Sequence, residues 1–245
     1  MLHETRDNRI AVLTIDRPHR RNALGTELVS GIGKALRDLD SDHSVGAIIL
    51  SGTPPGFCAG SDLKELGELS ISDMCSHEEE TGLLAQSIGL LTKPVIAAVE
   101  GFALGGGFVL AASCDIVVTA ESCRWHLPEV TIGWIPPWGL ESLLSRCTLV
   151  VARQLVWGSE PINGSEAFRL GVADYLAAEG EAIKKATALA HKLASLPAHA
   201  VAATKRYFSM TVDAGRGDPE ANKLFAENCH HETAKTTLRK YGARV

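Results

Sequence analysis

The sequence predicts an α/β fold. Short apolar runs of strand type alternate with helix-period segments over the first two thirds of the chain, the last third is helical in pattern, and the 245 residues are 45% hydrophobic with no clear linker or repeat. Strands that alternate with helices imply βαβ crossovers and a largely parallel sheet. A chain of this length buries roughly 70 to 75% of the surface that its unfolded form exposes, enough for a core without staples. Residues 1–190 are expected to form the core unit and residues 191–245 a helical carboxy-terminal region.

Residues Ile10 to Ile15 alternate as a strand does, and Thr26 to Leu39 place Leu28, Val29, Ile32, Ala35, Leu36 and Leu39 on one helical face. Ala47 to Leu50, closed by Ser51-Gly52, reads as a strand covered on both faces. After the loop Thr53 to Gly60, Asp62 to Leu69 reads as helix, Leu66 to Glu80 as a polar and mobile segment, and Glu78 to Leu91 as a second helix with an acidic first turn. Pro94 to Val99 is a buried strand, followed by a glycine turn, a helix Phe108 to Ser113 and a strand Asp115 to Ala120. From Ser165 onward the pattern is mostly helical, with helices near Glu181 to Leu196, Ala198 to Val212 and Pro219 to Lys240.

Composition removes several functional classes. A net charge of -5 argues against a protein that coats nucleic acid, which needs excess Lys and Arg over a broad face. Six irregularly spaced cysteines with no CxxC or Cys/His zinc spacing read as reduced thiols, and the charged amino terminus lacks the apolar core of a signal peptide, so a cytoplasmic setting is expected. Pro94 to Cys114 carries Glu100 as its only charge, yet Gly101, Gly105, Gly106 and Gly107 break it into strand, turn and buried helix, and no membrane association is expected. His230 and His231 have no third partner in pattern, so no metal is expected either.

The turn Gly101 to Gly107 fits neither a P-loop nor GxGxxG. Glycines that open a helix leave backbone N–H groups unpaired, and such a turn either holds an oxyanion or simply allows close helix packing. A second strand-to-helix turn, Phe57-Cys58-Ala59-Gly60-Ser61-Asp62-Leu63-Lys64, places the Ser61 N–H at a helix start. Two such donors aimed at one point make a hole for a thioester or ester oxygen.

With Asp16-Arg17-Pro18, Asn22-Ala23-Leu24, FCAGSDLKEL, KPVIAAVEGFALGGG, CDIVVTA and LPEVTIG in order over roughly residues 10 to 175, the chain resembles the crotonase (enoyl-CoA hydratase/isomerase) superfamily. The resemblance implies a spiral of ββα turns with a helical carboxy-terminal region that forms a homotrimer or dimer of trimers. It implies an acyl-CoA substrate, with CoA part of the substrate and no separate cofactor. By motif, Ser61 N–H and Gly106 N–H become the oxyanion hole, and Ala59, Ser61, Asp62, Leu63 and Lys64 lie along the CoA with Arg20, Ala23 and Gly105. Trp134 is expected in the acyl pocket, together with Trp138. Basic groups among Arg17, Arg20, Arg21, Lys235, Arg239, Lys240 and Arg244 are expected to meet the CoA phosphates, which need only a few local charges.

Family hydratases resemble one another in two glutamates, one just after the glycine triplet and one in the PE of LPEV. Here the first station is Val109 and the second is Glu129, while a third, near TIGWIPPWG, holds Pro136 and Pro137. A lone carboxylate suits an isomerase, taking the alpha proton of a 3-enoyl thioester and returning it at the gamma carbon. Apolar neighbours Trp125, Leu127, Val130, Ile132 and Trp134 are expected to raise the pKa of Glu129. A hydratase using Glu129 with another group, such as Glu141 or a water network, and a catalytically inactive binding subunit remain as alternatives, while His126 reads as a polar cap rather than a second acid/base. Cys114, with no base to activate it, reads as structural.

Overall fold

A strand that hydrophobic alternation does not reveal opens the chain: β1 (Leu2–Asp7) lies antiparallel to β2 (Ile10–Ile15), with Leu2 opposite Ile15 and Asp7 opposite Ile10. Almost every side chain of β1 is exposed, so backbone pairing alone makes it a strand. Asn8 turns the hairpin with φ of 53°, a left-handed conformation that asparagine tolerates. The computed structural model describes residues 1–158, 160–211 and 217–241.

Then follow α1 (Thr26–Ser41), β3 (Ala47–Gly52), α2 (Leu63–Leu66), α3 (Ile71–Leu90), β4 (Val95–Val99), β5 (Phe102–Leu104), α4 (Gly106–Ala112), β6 (Ile116–Ala120) and β7 (Arg124–His126). After a 3-10 turn at Glu129–Ile132 come α5 (Leu140–Arg146), α6 (Leu149–Gly158), β8 (Ile162–Asn163), α7 (Gly164–Arg169), β9 (Tyr175–Ala177), α8 (Ala182–Ala194), α9 (Ala198–Thr211), α10 (Gly217–Asn228) and α11 (Glu232–Lys240). The main sheet has the order β1-β2-β3-β4-β6-β9, parallel after its first pair, and β5-β7-β8 form a second, smaller sheet.

The main sheet is covered on both faces, which is why β3 and β4 are apolar without alternation. Ile48 and Leu50 join Leu28, Ile32 and Leu36 of α1 on one side, while Ala47 and Ile49 meet α8 on the other. Helix α8 approaches on a stripe of alanines, Ala182, Ala186, Ala190 and Ala194, spaced four apart. Such a stripe leaves no volume for a larger residue, so Ala186→Leu is expected to cost about 1 to 3 kcal/mol in a denaturant titration.

Several boundaries differ from expectation, each for a physical reason. Residues 71–80 of the segment expected to be polar and mobile form the first half of α3, started by Ser70, whose hydroxyl accepts from Asp73 N–H at 3.2 Å. Its buried face carries His77, Glu78 and Thr81 beside Met74, so no apolar stripe announces it. Helix α2 is one turn rather than eight residues, and α4 begins at Gly106 instead of Phe108. The last predicted helix is broken at Cys229 to His231 into α10 and α11, which lets Phe225, Ala234 and Leu238 converge on Trp134. Strands β5, β7, β8 and β9 are only two or three residues long and too short to register as periodic. Position 190 lies inside α8. Val212, the expected end of α9, lies outside the described residues.

Candidate active site

Two loops that are distant in sequence are pinned together by one buried asparagine. Asn22, in the left-handed region with φ of 56°, donates from its amide nitrogen to Thr53 O at 2.8 Å and Gly56 O at 2.7 Å, and accepts from Arg17 N–H at 2.8 Å. Arg17 in turn pairs with Asp62 at 2.7 Å and donates to Ala23 O at 3.0 Å. Burial by itself would raise the Asp62 carboxyl, but the Arg17 guanidinium and the backbone N–H groups of Glu65 and Lys64 hold it below the ordinary value. The motif from Asp16 to Leu24 is therefore the scaffold of the Ser61 turn. Leu24 N–H donates to Gly60 O at 2.8 Å and Asp62 N–H to Leu24 O at 3.0 Å.

The glycine turn meets this scaffold from the other side. Leu104 N–H donates to Cys58 O at 3.0 Å and Gly105 N–H to His126 O at 2.8 Å. Gly60 and Gly105 have φ of 86° and 51°, and a Cβ on Gly60 would stand 2.9 Å from Gly106 N. Only glycine allows that conformation and that approach together. A Cβ on Gly106 would in turn stand 3.5 Å from Ser61 N. Ser61 N–H and Gly106 N–H thus lie side by side, and among the described residues no protein acceptor takes either of them.

Ser61 and Gly106 both line a cavity of about 80 Å³, together with Ala59, Leu63, Val109, Glu129, Trp134 and Trp138 among others. Glu129 opens the 3-10 turn after Pro128, and its Oε1 lies 2.8 Å from where a Cβ on Gly105 would be. The residue is partly accessible as a whole, yet its Oε2 is sealed from solvent and has no hydrogen-bond partner. Burial pushes its carboxyl up to about 7, and the charge of Glu78 adds to the effect.

Glu78 is the site residue that sequence reasoning missed. It lies in α3, 3% exposed, lines the same cavity, and its Oε2 accepts from the Trp138 indole N–H at 2.8 Å. Burial raises its carboxyl, while neighbouring His77, the Ser61 hydroxyl and the Trp138 N–H act in the opposite direction. The one available signal was an acidic residue on the face of α3 that also carries Met74 and Thr81.

The other expected residues divide between the cavity and its frame. Gly105, Gly106, Ser61, Ala59, Leu63 and Trp134 line the cavity, and Pro136 and Pro137 join them. Asp62 and Ala23 are buried in the frame, and the Lys64 side chain is exposed. Arg20 stands 3.9 Å from Asp62 with a buried Nη1 that has no hydrogen-bond partner. Arg21 stacks on Phe102 at 4.7 Å, and Lys235 and Arg239 both pair with Glu232, so most of the expected basic cluster is engaged locally. Arg244 lies outside the described residues. His126 contributes its carbonyl to the glycine turn, and Glu141 lines a different cleft with Asp115 and Arg146. All six cysteines are free, and burial pushes the Cys114 thiol up to about 12, which leaves it unreactive. Among the described residues no helix is long and apolar enough to cross a membrane.

Residues 5–244 match the family model described as enoyl-CoA hydratase/isomerase. The chain is 35% identical to a probable enoyl-CoA hydratase of Rhizobium meliloti over 226 residues, 88% of this chain and 84% of that one. It is 37% identical to enoyl-CoA hydratase domain-containing protein 2, mitochondrial, of Bos taurus, over 95% of this chain and 80% of the relative. A crystal structure of an enoyl-CoA hydratase/isomerase from Mycobacterium paratuberculosis superposes with a TM-score of 0.88 at 25% identity, covering 98% of this chain and 97% of that one. Full-length agreement in sequence and in fold, with the expected turns in contact, makes this chain a member of the enoyl-CoA hydratase/isomerase (crotonase) family.

Proposed function

We propose that this protein moves a proton between the alpha and gamma carbons of an enoyl-CoA thioester, with Glu129 as acid and base and the enolate oxygen held by Ser61 N–H and Gly106 N–H. The observation that carries this reading is a buried carboxyl, raised to about 7, beside two backbone donors with no protein acceptor. The Glu129 carboxylate takes the alpha proton of a 3-enoyl thioester, and the electron pair moves onto the thioester oxygen. Return of that proton at the gamma carbon gives the 2-enoyl isomer. The two donors act where the charge develops, and each is worth about 3 to 4 kcal/mol in comparable sites.

Val109 lines the cavity where family hydratases resemble one another in carrying a glutamate, which supports isomerisation as the reaction of Glu129 and the hole alone. The partly exposed Arg20 side chain beside Asp62 suits a contact with a CoA phosphate, and the free cysteines suit a reducing compartment such as the cytoplasm. Exposed Leu149, Val150 and Trp157 on α6 suit burial in a homotrimer or dimer of trimers.

The test is turnover of 3-butenoyl-CoA by Glu129→Gln, for which a loss of at least 100-fold is expected; undiminished turnover overturns the assignment. Because the hole uses backbone, Ser61→Ala is expected to lose no more than tenfold in the same assay. Binding of butyryl-CoA by the unmodified protein with no turnover of any enoyl thioester would instead identify a binding subunit.

A further inference from the structure

The geometry points to Glu78 as a second catalytic carboxylate, supplied by α3 in place of the one missing at Val109, so that the same site also adds water across the double bond of a 2-enoyl-CoA. This inference rests on the reading of Glu129 and the oxyanion hole given above and adds a second activity to it. Three observations support it. Glu78 and Glu129 line one cavity, although they come from elements about fifty residues apart. Trp138 ties Glu78 to the hole: its Cζ2 lies 3.0 Å from where a Cβ on Gly106 would be, and its Nε1, two bonds away on the ring, donates to Glu78 Oε2. Val109 lies on the cavity wall, 2% exposed, with its Cβ 2.7 Å from where a Cβ on Gly139 would be, so the usual station is filled by an isopropyl group against backbone.

A structural role for Glu78 accounts for these facts less well. The Trp138 N–H needs one acceptor, which a neutral amide would supply without the cost of burying an ionisable group. A buried carboxyl that lines one cavity with a second carboxyl is the arrangement that splits acid and base roles between two groups. Their surroundings assign the roles. Burial raises the Glu78 carboxyl, but the Trp138 N–H that it accepts from and the Ser61 hydroxyl against it both favour its charged form, which suits it to the part of base. Glu129 has a sealed oxygen with no donor, so its protonated form is the more favoured of the two sites' and is the one that gives a proton in this step.

The reaction then balances with water as co-reactant. The Glu78 carboxylate takes one proton from a water molecule as its oxygen bonds to C3. The C2–C3 π pair shifts toward the thioester, where Ser61 N–H and Gly106 N–H hold the oxygen of the enolate. Glu129 gives its proton to C2 as the enolate collapses, which leaves a 3-hydroxyacyl-CoA. Glu78 then loses its proton and Glu129 regains one from solvent. A 2-enoyl product of isomerisation is the substrate of this step, so the two activities run in sequence in one cavity.

The experiment compares two probes, 3-butenoyl-CoA for isomerisation and crotonyl-CoA for hydration, with products separated by chromatography. Glu78→Gln is expected to lower hydration at least 100-fold, in line with the roughly 10²- to 10⁴-fold range for general acid–base groups, and to lower isomerisation at least tenfold less than that. Glu78→Asp, which keeps the charge on a shorter arm, is expected to fall between Glu78→Gln and the unmodified protein in hydration. Hydration by Glu78→Gln or by Glu78→Asp at the unmodified rate overturns the inference, as does an equal loss of both reactions in Glu78→Gln. An unmodified protein that isomerises but forms no 3-hydroxybutyryl-CoA also overturns it and leaves the role of Glu129 standing. Undiminished isomerisation by Glu129→Gln overturns that underlying reading instead.

Discussion

Glu129→Gln is expected to remove at least 100-fold of the turnover of 3-butenoyl-CoA while making the fold more stable above pH 7. Both effects have the same origin, because the apolar walls that seal its Oε2 also penalise its charge and push the carboxyl up to about 7. As the base that takes the alpha proton it must be ionised, so kcat/KM should rise with pH and reach half its plateau near 7. Groups that face it bear on this midpoint. Glu78, when charged, moves it up, and next to Glu78 on α3 the buried His77 turns its Nδ1 to the Thr26 hydroxyl at 3.3 Å. A profile of the Gln variant that keeps the midpoint near 7 would remove Glu129 as its source.

The stability effect has a definite sign. The unfolded chain releases this proton near the ordinary value of 4.5, whereas the folded protein holds it until about 7. Between those values the folded state binds more proton, so stability contributed by this group is present at low pH and is lost as pH rises through about 7. The full difference corresponds to about 3 kcal/mol. Glu129→Gln, which cannot ionise, should match the unmodified protein near pH 4.5 and exceed it by roughly that amount at pH 8 in denaturant titrations. Equal stability at both pH values would show that the carboxyl is solvated in the folded state.

Asn22→Ala is expected to cause the largest loss of stability, about 4 kcal/mol, together with loss of turnover. The substitution leaves Thr53 O, Gly56 O and Arg17 N–H without their partner in a place where Asn22 itself is 0% exposed. Each buried polar group left unpaired costs about 1 to 3 kcal/mol. Alanine must also adopt the left-handed backbone at this position, which asparagine tolerates better. The strap that it removes holds the loop leading to Ser61, so the hole should widen before the protein unfolds. A midpoint of unfolding within 0.5 kcal/mol of the unmodified protein, roughly the size of an ordinary surface substitution, would overturn this account.

Local chemistry was legible in the sequence because it depends on neighbours along the chain. Glycines at 60 and 105 announce turns that only they can make, and the motifs around them placed Ser61, Gly106 and Glu129 at one site. Asn22 was visible as part of a motif, but its task was not, since its three partners lie on both sides of it and up to 34 residues away. The start of α3 within Leu66 to Glu80 was not legible for a related reason. A helix whose buried face carries His77, Glu78 and Thr81 shows no apolar stripe over its first turns.

By itself, then, the sequence determined the family, the α/β core, the two donor turns and one of the two carboxylates, all of them features written in short motifs or in periodic burial. Only the tertiary structure decided that a second carboxylate enters the cavity, because Glu78 meets its indole partner across 60 residues of chain. Glu141 and His126 were nearer in sequence to Glu129 and were passed over by the packing, which turned one into another cleft and used the other's carbonyl to hold the glycine turn. Proximity in a cavity is set by how helices dock on a sheet, and no local spacing encodes that.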